Sequence, residues 1–338
     1  MNKETASRIS ERACPSISYR IRKEILQEDM LKPDMQELQA KILNEPEVLR
    51  IFSLQKQDGW LGGLFHGVDE PECSLRYLME KGVEPSHPII ISALNAIIAR
   101  GDKFDEGCMY RVGKPLDSMH LGGSKLIKAC VFAYTGNENY AFVKEQIDEV
   151  LEVFRYVCGV ENTADIYYEH KDKLVFKTGV MWPSIYHLRL LANTNGWRDA
   201  KNQEMLVKAF SRLVELSPIP QVKLLYRHRI ISPASVFMED FDSNMSSLNA
   251  KGWMLWFHRT ELISKLGIAA RIGSVKRQIE YVNDLFKQSK GLLSKKLNHY
   301  YFTRWTQYIG LALENDWKSA ERIENDLIFR CLLINSYL

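Results

Sequence analysis

Apolar residues recur along most of the chain at the three- and four-residue spacing of an amphipathic helix. In 88–100 the apolar stripe consists of Ile89, Ile90, Ala93, Ile97 and Ile98. Residues 123–135 repeat the pattern with Leu126, Ile127, Cys130, Val131 and Tyr134. The same spacing predicts further helices near 138–157, 180–194, 202–216, 250–266, 274–288, 303–314 and 319–335. Because no segment shows convincing strand alternation with hairpin turns, the pattern predicts an all-α protein.

The predicted helices form pairs that are joined by short turns. These turns centre on Gly82, Gly136, Gly196, Gly267 and Asn315. They lie roughly 50 to 70 residues apart, which exceeds the 40–47 residues of a HEAT-type solenoid unit. We therefore expect a single domain, an α/α toroid of about six helical hairpins over 35–338. Residues 1–34 are predicted to form an N-terminal helical extension.

One segment, 52–67, carries a recognisable motif, FSLQKQDGWLGGLFHG. Its Gln55, Asp58, Gly59 and Trp60 resemble the Gln…Asp-Gly-x-Trp repeat of the terpenoid cyclase and protein prenyltransferase superfamily of α/α toroids, to which squalene–hopene cyclase belongs. Here Trp60 follows Gly59 directly, and 196–199 is a looser echo. In that superfamily the Gln and Asp tie the turn to neighbouring helix ends, and the Trp packs on the outer ring of helices.

The resemblance implies a central cavity that holds a hydrophobic, isoprenoid-like small molecule, with proton transfer from side chains at its mouth. Asp117 and His120 are candidate catalytic residues, because a spacing of three places them on one face of a helical turn. Asp242 is the third candidate. Asp240 and Asp242 match the first two acids of the Asp-x-Asp-Asp motif of class II cyclases, but Ser243 replaces the last.

Three further clusters combine histidine with aromatic residues near predicted helix starts. Their predicted substrate-binding residues are Trp182, Tyr186, His187, Trp256, His258 and Tyr301. Aromatic faces can pack on a ligand or stabilise positive charge. Each cluster also has a structural interpretation. Asp117 could cap a helix, the aromatic residues could be core, and the 239–243 acids could form a solvated loop.

Two alternative functions stay open at this point, as does the question of whether the protein is an enzyme. The first is a glycan-active toroid with carboxylates such as Asp58, Asp69 and Asp117 at one end of the barrel. The second is a non-catalytic helical-repeat scaffold. A cavity with buried His and Asp favours the isoprenoid and glycan hypotheses, whereas a continuous concave basic surface favours the scaffold.

Composition and charge narrow the possible partners. The chain has 45 Lys+Arg against 42 Asp+Glu, a net charge of +3 that does not favour nucleic-acid binding. No apolar run is long enough to predict a transmembrane segment. Six dispersed cysteines without a CxxC pair predict reduced thiols, a cytoplasmic protein and no metal site. The expected partner is a small-molecule ligand in a cavity; the sequence specifies neither cofactor nor oligomeric state.

Overall fold

A computed structural model of the protein describes residues 3–101, 107–288, 297 and 299–338. The chain is 59% helical, which confirms the all-α prediction. The first eight α-helices are α1 (Lys3–Arg12), α2 (Pro15–Arg20), α3 (Pro33–Leu43), α4 (Pro46–Ser53), α5 (Pro71–Lys81), α6 (Pro88–Arg100), α7 (Lys114–Asp117) and α8 (Ser124–Tyr134). The other seven are α9 (Ala141–Val157), α10 (Ile185–Ala192), α11 (Ala200–Glu215), α12 (Ala250–Lys265), α13 (Gly273–Lys287), α14 (His299–Thr303) and α15 (Ala320–Ser336).

The described residues divide into two compact units. Unit 1 comprises those of 1–101, 245–265 and 277–338, and unit 2 those of 102–244 and 266–276. Residues 1–34 therefore belong to the same unit as α3–α6. Among the described residues, no helix has both the length and the apolar character that crossing a bilayer requires.

Unit 1 has an apolar core that joins the two ends of the chain. Residues from α1, α2 and the following π-helical turn (Ile21–Ile25) pack against α15. The buried members of this core are Ala6, Ile9, Cys14, Ile17, Ile21, Leu313, Ile328, Phe329, Leu332 and Leu333. This core links the predicted N-terminal extension to α15; it contains no described residue of the first predicted hairpin, α3 and α4.

A network of buried ion pairs lies beside this core. Arg330 bonds Glu80 and Glu261, each at 3.0 Å, and Arg20 bonds Glu80 at 2.7 Å and Glu24 at 2.6 Å. The remaining guanidinium donors of Arg330 bond the carbonyl of residue 311. Burial would raise the pKa of Glu80, but the two arginines outweigh it and lower this pKa well below its usual range. Every charge in the network therefore has an opposite charge within reach.

The 52–67 motif has the geometry that its residues predict. Helix α4 ends at Ser53, and Gln55 Nε2 then donates to the carbonyl of Ile89 in the first turn of α6, at 2.8 Å. Asp58 accepts the backbone N–H of Trp60 at 3.0 Å, and Trp60 is only 1% exposed. Arg100 covers the Trp60 ring at 3.7 Å and bonds Asp58 at 2.9 Å. The prediction that Trp60 is buried at a helix end is confirmed.

Unit 2 packs α8 on α9 and α10, and α9 on α11. It also contains two antiparallel ribbons, β1 (Tyr167–His170) with β2 (Lys173–Phe176) and β3 (Leu224–Tyr226) with β4 (Arg229–Ile231). A single bridge between Val175 and Lys223 links the ribbons. The basic residues of 223–229 thus lie on a ribbon, whereas their sequence suggests an exposed helix face.

One predicted helix is wrong. The apolar spacing predicts a helix over 303–314, but α14 ends at Thr303 and residues 304–319 contain no helix. Gly310 adopts a φ of +100°, and a Cβ there would lie 2.8 Å from the Cα of Trp305. The segment folds back on Trp305, whose indole N–H donates to the carbonyl of Ala312 at 3.0 Å. Tertiary contacts with Trp305 override the local helical pattern here.

Candidate ligand site

The predicted pair of Asp117 and His120 lies where α7 ends and the chain turns into α8. Asp117 is the last residue of α7, and its carboxylate accepts the backbone N–H of Lys125, in the first turn of α8, at 3.3 Å. Burial raises the pKa of Asp117 to about 7, although this backbone hydrogen bond opposes the shift. His120 has a φ of +52°, so it lies beyond α7 in the left-handed region. The two residues are therefore joined by a backbone turn, in which the N–H of His120 donates to the carbonyl of Asp117 at 3.1 Å, and do not lie on one helix.

Gly122 and Gly123 allow this turn to pack closely against neighbouring side chains. A Cβ on Gly122 would lie 2.5 Å from Ser184 Oγ, and one on Gly123 would lie 2.6 Å from an Asp117 carboxylate oxygen. Only glycine fits such approaches, and Gly122 also has a φ of +81°. Asp117 thus lies against Gly123, and Ser184 and His187 lie against Gly122. We refer to the five residues Asp117, Gly122, Gly123, Ser184 and His187 as the glycine-turn cluster.

His187 is held in its neutral form at the start of α10. Its Nδ1 accepts the backbone N–H of Ser184 at 2.9 Å and lies 2.7 Å from Ser184 Oγ, which makes a capping box. Burial, with a smaller contribution from His120, lowers the pKa of His187 to about 3. His120 itself is exposed, and its Nδ1 lies 2.7 Å from a carboxylate oxygen of Glu149. The cluster brings titratable groups together, and each has a partner in the protein.

The other predicted site residues occupy different environments. In unit 2, Trp182 is buried and donates its indole N–H to the carbonyl of Phe237 at 2.7 Å, and Tyr186 is buried beneath Arg189. Asp242 is exposed and bonds the hydroxyl of Ser274. In unit 1, Trp256 bonds Gln278 at 2.9 Å, His258 is buried on α12, and Tyr301 is partly exposed on α14. The nine predicted residues thus fall on both units.

Unit 1 contains a pocket of about 680 Å³ that sequence reasoning located only through Asp69. Helices α4 and α5 form one side, and 303–315 contributes the other. The lining residues are Glu45, Pro46, Glu47, Arg50, Ile51, Val68, Asp69, Cys73, Ser74, Tyr77, Lys81, Thr303, Arg304, Trp305, Ala312, Glu314 and Asn315. The lining thus contains four carboxylates and three cationic side chains. We call this the unit-1 pocket.

Two groups of charged side chains in the lining are held by ion pairs. The buried Lys81 donates to Glu45 at 2.5 Å and to the carbonyl of Leu313 at 2.6 Å. At the surface, Arg50 forms a two-pronged pair with Glu47, at 2.7 and 2.9 Å, and bonds Asp69 at 2.6 Å. Because Glu47 and Asp69 share one arginine, this second group carries one excess negative charge.

Two hydroxyl groups in the lining lack such pairing. Ser74 is 3% exposed, and its Oγ has no hydrogen-bond partner among the described residues. The hydroxyl of Tyr77 likewise has none within the part of the chain that the structure describes. Burial, together with the carboxylates of Glu45 and Glu47, raises the pKa of Tyr77, so this hydroxyl keeps its proton. The pocket therefore borders hydrogen-bonding capacity that the protein does not use. The Ser74 Oγ is itself closed to solvent, so a ligand would reach it only after the serine side chain rotates toward the pocket.

A sequence signal for this site exists in α5. Ser74, Tyr77 and Lys81 have the spacing i, i+3, i+7, which is one face of a helix. Yet Glu72 and Arg76 on its other faces are also buried. A short helix with polar residues all round is unusual for a core element. That pattern distinguishes α5 from the amphipathic helices on which the prediction concentrated.

Comparisons with protein-family models, curated proteins and solved structures give no match to this chain. Within the described ranges, no group of three or more His, Cys, Asp or Glu side chains is arranged to hold a metal ion. All six cysteines are free thiols, and only Cys108 and Cys158 are partly exposed.

Proposed function

We propose that the protein binds a sugar in the unit-1 pocket, as the glycan hypothesis from the sequence expects. The observation that carries the proposal is the lining of the pocket, in which carboxylates and unpaired hydroxyls surround a volume of about 680 Å³. Carboxylates accept hydrogen bonds from ligand hydroxyls, and small-molecule pockets span roughly 300–1,000 Å³. Of the three carboxylates expected together at a glycan site, Asp69 lines this pocket, whereas Asp58 lies outside the lining and Asp117 belongs to unit 2.

The isoprenoid hypothesis makes a different demand on the site. An isoprenoid-like ligand needs a mostly apolar cavity, since each unpaired polar group that it covers loses water without a replacement. Seven of the seventeen lining residues carry charge, which favours a polar ligand. The toroid of about six hairpins is part of the same proposal. It is supported by the Gln55–Trp60 turn.

The test is a thermal-shift and calorimetric titration with two ligand panels. One panel contains glucose, N-acetylglucosamine, maltose and cellobiose, and the other contains farnesol and geranylgeranyl diphosphate. A sugar at about ten times its Kd should stabilise the protein by about 1.4 kcal/mol and raise Tm by a few degrees.

Two matched tryptophan variants localise the binding. Val68→Trp adds bulk at the mouth of the pocket, and Leu64→Trp adds it to a similarly exposed position outside the lining. We expect the first to abolish the sugar-dependent shift and the second to preserve it. Stabilisation by the isoprenoids alone, removed by Val68→Trp, would instead support the hydrophobic-ligand hypothesis.

A further inference from the structure

The pocket face of α5 presents Ser74, Tyr77 and Lys81 along two turns of helix. Lys81 bonds Glu45 and a backbone carbonyl, so the hydrogen-bonding groups at its end of this face already have partners in the protein. Ser74 and Tyr77 at the other end are the residues whose hydroxyls have no partner among the described residues. Hence a ligand would find its hydrogen bonds at the Ser74–Tyr77 end.

An unpaired buried hydroxyl is costly for the free protein. A buried polar group without a partner loses about 1–3 kcal/mol relative to its hydrated state. Alanine at position 74 would avoid this loss, has better helix propensity than serine, and would leave the surrounding packing almost unchanged. The serine is thus a poor choice for stability alone. A ligand hydroxyl that bonds Ser74 would recover the lost free energy.

The charges of the lining indicate the sign of the ligand. Lys81 is balanced by Glu45, and Arg50 is shared by two acids. Glu314 accepts hydrogen bonds from the backbone of Cys14 and from Asn325 and forms no ion pair within 4 Å among the described residues. Its cationic neighbour, Arg322, forms an ion pair with Asp316. The remaining cation is Arg304, whose side chain is exposed and bonds the hydroxyl of Tyr300.

Two buried charged residues lie behind the lining. Arg76 lies over the Trp305 ring at 4.7 Å, and Asp326 accepts the backbone N–H of Glu314. The lining itself contains four carboxylates and three cations, which leaves one excess negative charge among its residues. In a concave site such an excess attracts a cation, because the low-dielectric walls focus the potential.

We propose that the ligand of the unit-1 pocket is an amino sugar, whose hydroxyls bond Ser74 and Tyr77 and whose ammonium group pairs with Glu314. This inference rests on the proposed function, sugar binding at this pocket, and adds the charge of the ligand and the residues that select it.

Three sugars with the same ring separate charge from shape: glucosamine, glucose and glucuronate. Calorimetry at a mildly acidic pH, where the amino group is protonated, should rank glucosamine first and glucuronate last, with at least a tenfold difference in Kd between them. If glucuronate binds best, the charge assignment is wrong while sugar binding stands. If none of the three sugars and none of the earlier panel binds, the proposed function itself fails.

Variants identify the residues. Glu314→Gln should bring the Kd of glucosamine to that of glucose, whereas Glu37→Gln, at an exposed position on α3, should not. Ser74→Ala should raise the Kd of every sugar at least tenfold, while the Tm of the free protein stays equal or rises. The matched control is Ser264→Ala, since Ser264 is also buried with an unpaired Oγ but lies outside the lining. Undiminished sugar binding by Ser74→Ala, or a retained glucosamine preference in Glu314→Gln, would overturn the inference.

Discussion

The glycine-turn cluster of unit 2 and the unit-1 pocket contain similar residue types but differ in how their polar groups are satisfied. In the cluster, Asp117 accepts a hydrogen bond from the start of α8, and His187 closes a capping box with Ser184. In the pocket, the hydroxyls of Ser74 and Tyr77 have no partner among the described residues. Protein partners therefore account for the first set of polar groups and not for the second.

This difference separates a polar group that holds the fold together from one that is available to a ligand. Both regions are rich in titratable groups near helix ends, so residue type alone does not distinguish them. Removing a satisfied group should cost stability because its partner is left unpaired. Removing an unsatisfied group should cost little or nothing in the free protein. The predictions below test that distinction.

The largest effect is expected at the fully paired Arg330. Arg330→Met should lower the free energy of unfolding by about 3–5 kcal/mol, because it leaves Glu80 and Glu261 buried with less compensating charge. Urea unfolding followed by circular dichroism measures this. Arg12→Met, which breaks only the exposed pair with Glu324, should cost less than about 1 kcal/mol. Equal losses in the two variants would contradict the importance of buried pairing.

A smaller loss is expected at the capping box of the glycine-turn cluster. Ser184→Ala removes the hydroxyl that caps α10 and contacts His187 Nδ1, and should cost about 1–2 kcal/mol. Ser118→Ala in the same unit removes an exposed hydroxyl and should stay within about 0.5 kcal/mol. If Ser184→Ala leaves the free energy of unfolding unchanged, the hydroxyl of Ser184, like that of Ser74, is not needed for the stability of the fold.

The stability contribution of Asp117 should depend on pH. Since burial raises its pKa to about 7, the folded chain keeps a proton that the unfolded chain releases near pH 4. The resulting stability is complete below about pH 4 and is lost as the pH rises through about 7. The amide of an Asp117→Asn variant is neutral throughout, so this variant should gain about 1–2 kcal/mol relative to wild type between about pH 4 and pH 8.

Chemical unfolding across this pH range tests the prediction. Asp148→Asn, which removes an exposed carboxylate from α9, controls for the change in net charge. Parallel stability profiles for wild type and Asp117→Asn would show that the environment of Asp117 does not penalise its charge.

The smallest effect in the free protein is expected at Tyr77. Tyr77→Phe removes a hydroxyl that bonds nothing in the described chain and keeps the ring contact with Trp305, so the Tm should change little. A change in unfolding free energy within about 0.5 kcal/mol is expected. A loss of more than about 1 kcal/mol would mean that this hydroxyl has a structural role. The pocket hydroxyls would then no longer differ from the satisfied polar groups of the glycine-turn cluster.

Much of the fold was predictable because its signals are local. The apolar spacing locates α6, α8, α9 and α15 to within a few residues, and the Gln55–Trp60 motif predicts a buried tryptophan at a helix end. The failure at 303–314 has a non-local cause, since the segment folds around Trp305 and Gly310. The single toroid domain, the isoprenoid ligand and the cytoplasmic location stay predictions.

The residues of the candidate sites were also predictable only where their signals are local. Asp117 and His187 could be selected from sequence because polar residues interrupt apolar runs near helix ends, but their hydrogen-bond partners could not. Glu314 and Ser74 are 240 residues apart in the chain, and nothing in either segment indicates the other. Whether a buried hydroxyl has a partner is a property of packing, which no residue pattern records.

The assembly of unit 1 from both ends of the chain sets an order on biosynthesis. On the ribosome, α1 and α2 emerge long before α15, which covers part of their apolar face. The larger part of unit 2, 107–244, is continuous and can fold while translation proceeds. The face of α1 and α2 that α15 covers stays exposed or shielded by a chaperone until residues near 330 have left the exit tunnel. Since the unit-1 pocket also needs 303–315, it forms in a nascent chain only after that segment has emerged.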